Sequence, residues 1–145
     1  MSLRELPAIV TTFLEPPRYA VVATHDADGT IWQAVVWYVL VDDGILMNSL
    51  DGRRWSRNLE RDGRLSFAVE DGEDYVILRG RAVVIDDPDR GQAEARALAI
   101  RYHADPDVHA GQHRVSVVFD PAHAALHGEL ASVRPQATGM PEARP

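Results

Sequence analysis

A mainly β fold, a closed or split barrel of six to seven mostly antiparallel strands with a few helices, is what this 145-residue sequence predicts. Three observations carry the prediction. Short runs rich in Val, Ile, Tyr and Phe recur from residue 18 to residue 121. The turn signals "DADG", "DDG" and "DGED" separate several of them. Only two helical patterns, a short one at 53–61 and a longer one at 89–103, fall between strands, too few for the alternation of a parallel α/β sheet.

Taken in order, Leu3, Leu6, Val10, Phe13 and Leu14 share one face of an opening helix. Ser2 and Glu5 have the spacing of a capping box, and Pro16-Pro17 ends the helix. "RYAVVATH" (18–25), "TIWQAVVWYVLV" (30–41) and "ILMNS" (45–49) read as three strands of a meander, with Gly29 and Gly44 in the turns. The second is apolar on both faces. Ala34, Val36, Tyr38 and Leu40 lie on one side; Val35, Trp37, Val39 and Val41 lie on the other. A solvated hairpin would be polar on one side. A partner subunit or a flat aromatic ligand would cover the second face.

"RRWSRNLER" (53–61) is a short helix, and "GRLSFAVED" (63–71) a strand with Leu65, Phe67 and Val69 inward. "YVILRGRAVVID" (75–86) is a long strand whose Gly80 marks a bulge or kink. Asp87-Pro88 supplies an N-cap and a first-turn proline for the helix at 89–103, which tolerates Gly91. "HRVSVVFDP" (113–121) is a strand with Val115, Val117 and Phe119 on one face, and "AALHGELA" one more short strand. One barrel domain over 1–130 and a flexible tail at 131–145 are expected.

Composition narrows the function classes. A net charge of −7 argues against a nucleic-acid partner. The chain has no Cys, which excludes disulfides, thiolate catalysis and Cys-based metal sites and suits a reducing cytoplasm. The opening residues are too polar for a signal peptide, and no apolar run is long enough to span a membrane. Lys is absent, so no lysine can act as a general base or form a Schiff base; an arginine-only, Ala- and Val-rich chain suits a GC-rich coding genome.

Against that acidity, Arg53, Arg54, Arg57, Arg61 and Arg64 crowd into "GRRWSRNLERDGR". On a helix, Arg53, Arg57 and Arg61 fall on one face, and Arg53 and Arg54 sit where the helix dipole disfavours cations. A bound phosphate would offset both effects, meeting guanidinium forks and free N–H groups together. The alternative is neutralisation by Asp51, Glu60 and Asp62 on a solvated face.

The order strand, "NS", "GR", "RNLERDGR", strand, with "VWY" on the preceding strand, resembles the flavin/deazaflavin oxidoreductases of the pyridoxamine 5'-phosphate oxidase-like superfamily over about residues 15 to 120. The resemblance implies an FMN-binding-like split β-barrel, a homodimer, and a cofactor site between subunits. It implies a phosphate site at Arg53, Arg54 and Arg57 with Asn58 in support, and a ring lying near Gln33, Val35, Val36, Asn48 and Ser49. Asn48 and Ser49 would donate to ring carbonyls or bond the following turn. Many relatives carry Lys where this chain has Trp55, whose indole can stack on the cofactor or pack under the helix.

The implied activity is hydride transfer to an unsaturated small molecule. Coenzyme F-420 is favoured over FMN, because Arg61 and Arg64 suit its anionic tail and a GC-rich source suits its distribution. An FMN-dependent enzyme and a non-catalytic cofactor or tetrapyrrole binder are the alternatives. Tyr38, Tyr75, a histidine or water would supply the proton. His109/His113 and His123/His127 have i, i+4 spacing but lie beside Pro106 and Gly128 without a helix, so no metal site is expected. Asp86, Asp87 and Asp89 read as helix capping.

Overall fold

The computed structural model describes residues 5–132. One antiparallel sheet of seven strands dominates it: β1 (Ala20–His25), β2 (Ile31–Val36), β3 (Val39–Val41), β4 (Gly44–Leu50), β5 (Arg64–Asp71), β6 (Asp74–Ile85) and β7 (Arg114–His127). Around it lie α1 (Ala8–Leu14), α2 (Arg54–Arg61), α3 (Pro88–Arg101) and α4 (Glu129–Ser132). No described helix is long and apolar enough to cross a membrane.

The strand order is β2-β1-β5-β6-β7-β4-β3. Its two outermost strands, β2 and β3, are consecutive in the chain and separated only by Trp37 and Tyr38. The expected single strand at 30–41 is therefore two strands, one on each edge of the split. The cause lies in the backbone hydrogen bonds. The Tyr38 N–H donates to the Tyr102 hydroxyl (3.0 Å) and Arg101 Nε donates to the Tyr38 carbonyl (2.8 Å), so the end of α3 takes groups that a ladder would use.

Inside the barrel, Phe67 stacks on Phe119 at 5.8 Å and meets Tyr38 edge-on at 5.3 Å. Leu6, Val10 and Leu14 bring α1 onto this core. The helix starts at Ala8, with Pro7 extended before it and no side-chain cap, rather than at the expected capping box. Ser2 and Leu3 lie outside the described residues, as does the tail from 133.

Two glycines decide where chains can approach. At Gly80 the β6–β7 register shifts, as the sequence suggested; a Cβ there would stand 2.1 Å from the Asp120 carbonyl oxygen. Gly91, in the first turns of α3, rests on β7: a Cβ there would stand 2.0 Å from the Arg114 carbonyl oxygen. Asp87 caps α3 through the Arg90 N–H (3.3 Å). "AALH" is not a separate strand but the end of the 14-residue β7, which continues past the bulge; Glu129 to Ser132 then turn helical.

Candidate functional site

A groove of about 540 Å³ opens between β2, β4, the start of α2, the middle of α3 and the loop before β7. This is within the usual size of a ligand pocket, ~300–1,000 Å³. Eight of the ten residues picked from the sequence line it: Gln33, Val35, Val36, Asn48, Ser49, Arg53, Arg54 and Trp55. Arg57 and Asn58 do not. Trp32, Trp37, Ala95, Leu98, His109 and Arg114 complete most of the lining; sequence reasoning did not assign Ala95, Leu98, His109 or Arg114 to it.

The β1–β2 hairpin is tied to α2 by charge. Asp26, in the hairpin turn, accepts both arms of the Arg54 fork (2.9 and 2.6 Å) and a bond from Asn58 Nδ2 (2.9 Å). The Arg54 guanidinium lies 4.0 Å from the centre of the Trp32 ring. Arg54 and then Asn58 hold the Asp26 carboxyl well below the usual carboxylate range. A depressed carboxyl stabilises the fold above its unfolded pKa, and that stabilisation fades as pH falls towards the folded value. Asp26→Asn is therefore expected to lower the urea midpoint at pH 7, with the gap to the parent narrowing below about pH 4. A gap of constant size would assign the loss to hydrogen bonding alone.

Most of the crowded arginines have internal acceptors. Arg57 pairs with Glu60 (2.9 Å) and Asp51 (3.6 Å), and Arg64 with Asp62 (2.7 Å). Arg61 donates to Asn58 Oδ1 (3.0 Å) and to the His25 carbonyl. The repulsion expected along α2 is thus largely offset within the chain. Arg53 differs: among the described residues it has no ion pair or side-chain hydrogen bond, and it stands at the N-cap of α2, whose first turn has neither an acidic residue nor a side-chain cap.

Arg114 makes the second unbalanced charge. It is only 9% exposed, at the start of β7. Its Nε donates to Asn48 Oδ1 (2.8 Å) and another arm to Gln112 Oε1 (2.9 Å), both neutral. Burial, then the nearby Arg53, pushes its pKa down. A buried cation without a carboxylate is costly, and here two guanidiniums share a wall of the same groove. Among the described residues, no carboxylate pairs with either of them.

The rest of the lining is flat and apolar. Trp37 stacks on Tyr102 at 4.9 Å and 9°, which fixes its indole. Val35 is 66% exposed, while Trp55 is buried in the core cluster as well as bordering the groove. Asn48 and Ser49 are already engaged: Asn48 Nδ2 donates to the Gly91 carbonyl (2.9 Å), and Ser49 Oγ donates to the Leu50 carbonyl (2.9 Å) and lies 3.1 Å from Ser56 Oγ. Asn48 thus joins β4 to α3 and to Arg114, setting the groove's width.

The other singled-out residues lie elsewhere. His113 is held by Asp86 (2.6 Å), and His127 stacks on Tyr75 at 4.6 Å. Asp86 therefore serves His113, while Asp87 caps the helix.

A family profile for pyridoxamine 5'-phosphate oxidase matches residues 6–128. No curated protein matches the sequence. Among solved structures, an F420 reductase is 24% identical, with a TM-score of 0.72 over 82% of this chain and 98% of its own. The conserved hypothetical protein Rv2991 from Mycobacterium tuberculosis is 22% identical, with a TM-score of 0.74 over 92% of each chain. The haem storage protein HutZ from Vibrio cholerae is 16% identical, with a TM-score of 0.59 over 77% of this chain and 87% of its own. At these identities the structures share the fold, a split β-barrel, and the profile spans nearly every described residue: the chain is a member of the pyridoxamine 5'-phosphate oxidase family.

Proposed function

We propose that the groove binds a phosphorylated ring cofactor, coenzyme F-420 or else FMN, and that the protein is an oxidoreductase reducing an unsaturated small molecule. One observation carries the reading: Arg53 and Arg114 face one groove without a carboxylate between them. The residues present fit such a group. Arg53, Arg114 and the open first turn of α2 would hold the phosphate. Trp32, Trp37, Val35 and Val36 offer flat apolar surface to a ring, and Gln33 an amide for its polar edge.

When bound, the cofactor supplies hydride chemistry. The chain's own contribution is to orient it and to exclude water with α3, through Ala95 and Leu98. Arg57 and Asn58 act behind the site in this reading, Asn58 by holding Asp26 and so the hairpin that carries Trp32. One fold neighbour, an F420 reductase, supports the deazaflavin over the flavin.

A homodimer belongs to the same proposal. The outer face of the β1–β2 hairpin presents Val21, Ile31 and Val35, the last two about two-thirds exposed at 67% and 66%. An apolar sheet face of this kind favours a partner copy.

Intrinsic fluorescence tests the cofactor reading, because all three tryptophans border the groove. Titration with F-420 and with FMN should quench Trp emission saturably with one of them at micromolar concentration, roughly −8 kcal/mol. Saturable binding of neither overturns the proposal.

A further inference from the structure

We propose that His109 is the proton-exchanging group of the groove: it gains a proton as an anionic cofactor settles on Arg114 and delivers it to the substrate. This rests on the groove holding a phosphorylated ring cofactor.

Elimination among side chains gives the first argument. Four sources of the proton were open from the sequence: Tyr38, Tyr75, a histidine or water. Tyr38 is fully buried, its hydroxyl donates to the Pro16 carbonyl (3.2 Å), and burial pushes its pKa up to about 12. Tyr75 stacks on His127 and does not border the groove. His25 and His123 border a different hollow, on the outer face of β1, β5, β6 and β7. His113 is held by Asp86. Among the described residues, His109 is the one groove-lining side chain whose unperturbed pKa lies near neutral pH. The Ser49 hydroxyl is buried and bonded.

Placement gives the second. His109 meets the Trp37 ring edge-on at 6.1 Å, and Trp37 is itself stacked on Tyr102. Its carbonyl accepts from Gln92 Nε2 of α3 (2.8 Å), so the loop that carries it is pinned to the groove wall. The imidazole therefore borders the flat surface proposed for the ring.

The charges around it give the third. From β7 it faces Arg114; Gln112, on its own loop, is neutral. From α3, Arg96 is paired with Asp107 of the same loop. Across the groove, α2 presents Arg53 at its N-cap and Arg54, the latter paired with Asp26. Among the described residues, no carboxylate lines the groove. Burial, then Arg114, lowers the His109 pKa, which favours neutral imidazole in the empty groove. An anion on Arg114 offsets that cation and favours imidazolium.

The step then balances. A reduced cofactor held in the groove would supply a hydride, with its electron pair, to an electron-poor carbon of a substrate double bond and would itself be left oxidised. The π pair moves to the neighbouring carbon, and that carbon takes the imidazolium proton. His109 is left neutral and regains a proton from water.

Calorimetry measures the exchange without turnover. Cofactor is titrated into the full chain near pH 7 in two phosphate-free buffers of different ionisation enthalpy; the difference in heat counts protons taken up. The parent should take up more proton per cofactor than H109Q, while the affinity of H109Q stays within about threefold of the parent. H109N, a second neutral replacement, should match H109Q. Equal uptake by parent and variants that bind normally overturns the assignment and leaves the cofactor reading intact. Saturable binding by none of the proteins overturns both. Once a substrate is in hand, H109Q should lower kcat at least tenfold with little change in cofactor affinity, and flatten the fall of kcat through the histidine pKa; an unchanged pH profile contradicts the role.

Discussion

Arg53→Gln is expected to weaken binding of the phosphorylated cofactor by about tenfold to a hundredfold, and Arg114→Gln by at least as much. A charge-assisted hydrogen bond contributes roughly 1.5–3 kcal/mol, which spans that range of affinity. Arg53 is exposed and has no partner among the described residues to abandon, so its replacement should leave folding intact. Arg114 also supports Asn48 and Gln112, so its variant must be checked for a native melting curve. Arg57→Gln is the informative contrast. Its fork already meets Glu60 and Asp51, and the groove lies elsewhere, so affinity should change by less than about threefold. Equilibrium titrations of the three variants separate an anion site centred on Arg53 and Arg114 from one spread along α2. If Arg57→Gln is the most damaging, the phosphate sits further along the helix.

The largest effect on stability is expected at Gly91. A methyl group there would meet the Arg114 carbonyl oxygen at 2.0 Å, backbone against backbone, with the Arg114 Cβ at 3.3 Å. Neither element can yield without moving α3 off β7. Overpacking of this kind costs roughly 1–3 kcal/mol, and backbone obstruction puts Gly91→Ala at the upper end. The gain of about 1 kcal/mol that alanine brings to an ordinary helix interior does not offset it. Urea unfolding should show a lower midpoint at similar slope. Cofactor affinity should fall as well, because the Gly91 carbonyl receives Asn48, whose other end holds Arg114. A variant as stable as the parent would mean that α3 is not seated as described.

How much of this the sequence discloses depends on the range of each interaction. Strands with period-two patterning, such as Leu65, Phe67 and Val69 in β5, state their own inward face, and the structure buries all three. The Asp87-Pro88 cap and the Gly80 bulge are also local, and both are found. The break at Trp37–Tyr38 is not local. It depends on Tyr102 and Arg101, more than sixty residues away, taking backbone groups that the strand pattern assigns to a ladder.

The site divides in the same way. The run of arginines points to the beginning of α2, and the groove is there. Asp26, which occupies Arg54, comes from a turn 28 residues earlier and carries no mark of that role in its own segment. Arg114 and His109 were not assigned to the groove from the sequence, for a physical reason. Arg114 falls on the face of β7 opposite Val115 and Val117, which reads as solvated until α3 is laid across it. The one available signal was Gly91, a helix glycine whose close approach implies a packed neighbour. His109 lies in an irregular loop, where neither period nor cap marks a side chain as inward.

The central claim is that this groove recognises a phosphate beneath a flat ring. It is tested most directly by measuring F-420 and FMN beside their phosphate-free counterparts, deazariboflavin and riboflavin, on the parent and on Arg53→Gln. The account predicts that the preferred cofactor binds the parent at least tenfold more tightly than its phosphate-free form, ~1.4 kcal/mol, and that most of this preference disappears in Arg53→Gln. Equal affinity for the two forms on the parent, or a preference that Arg53→Gln leaves untouched, would contradict it.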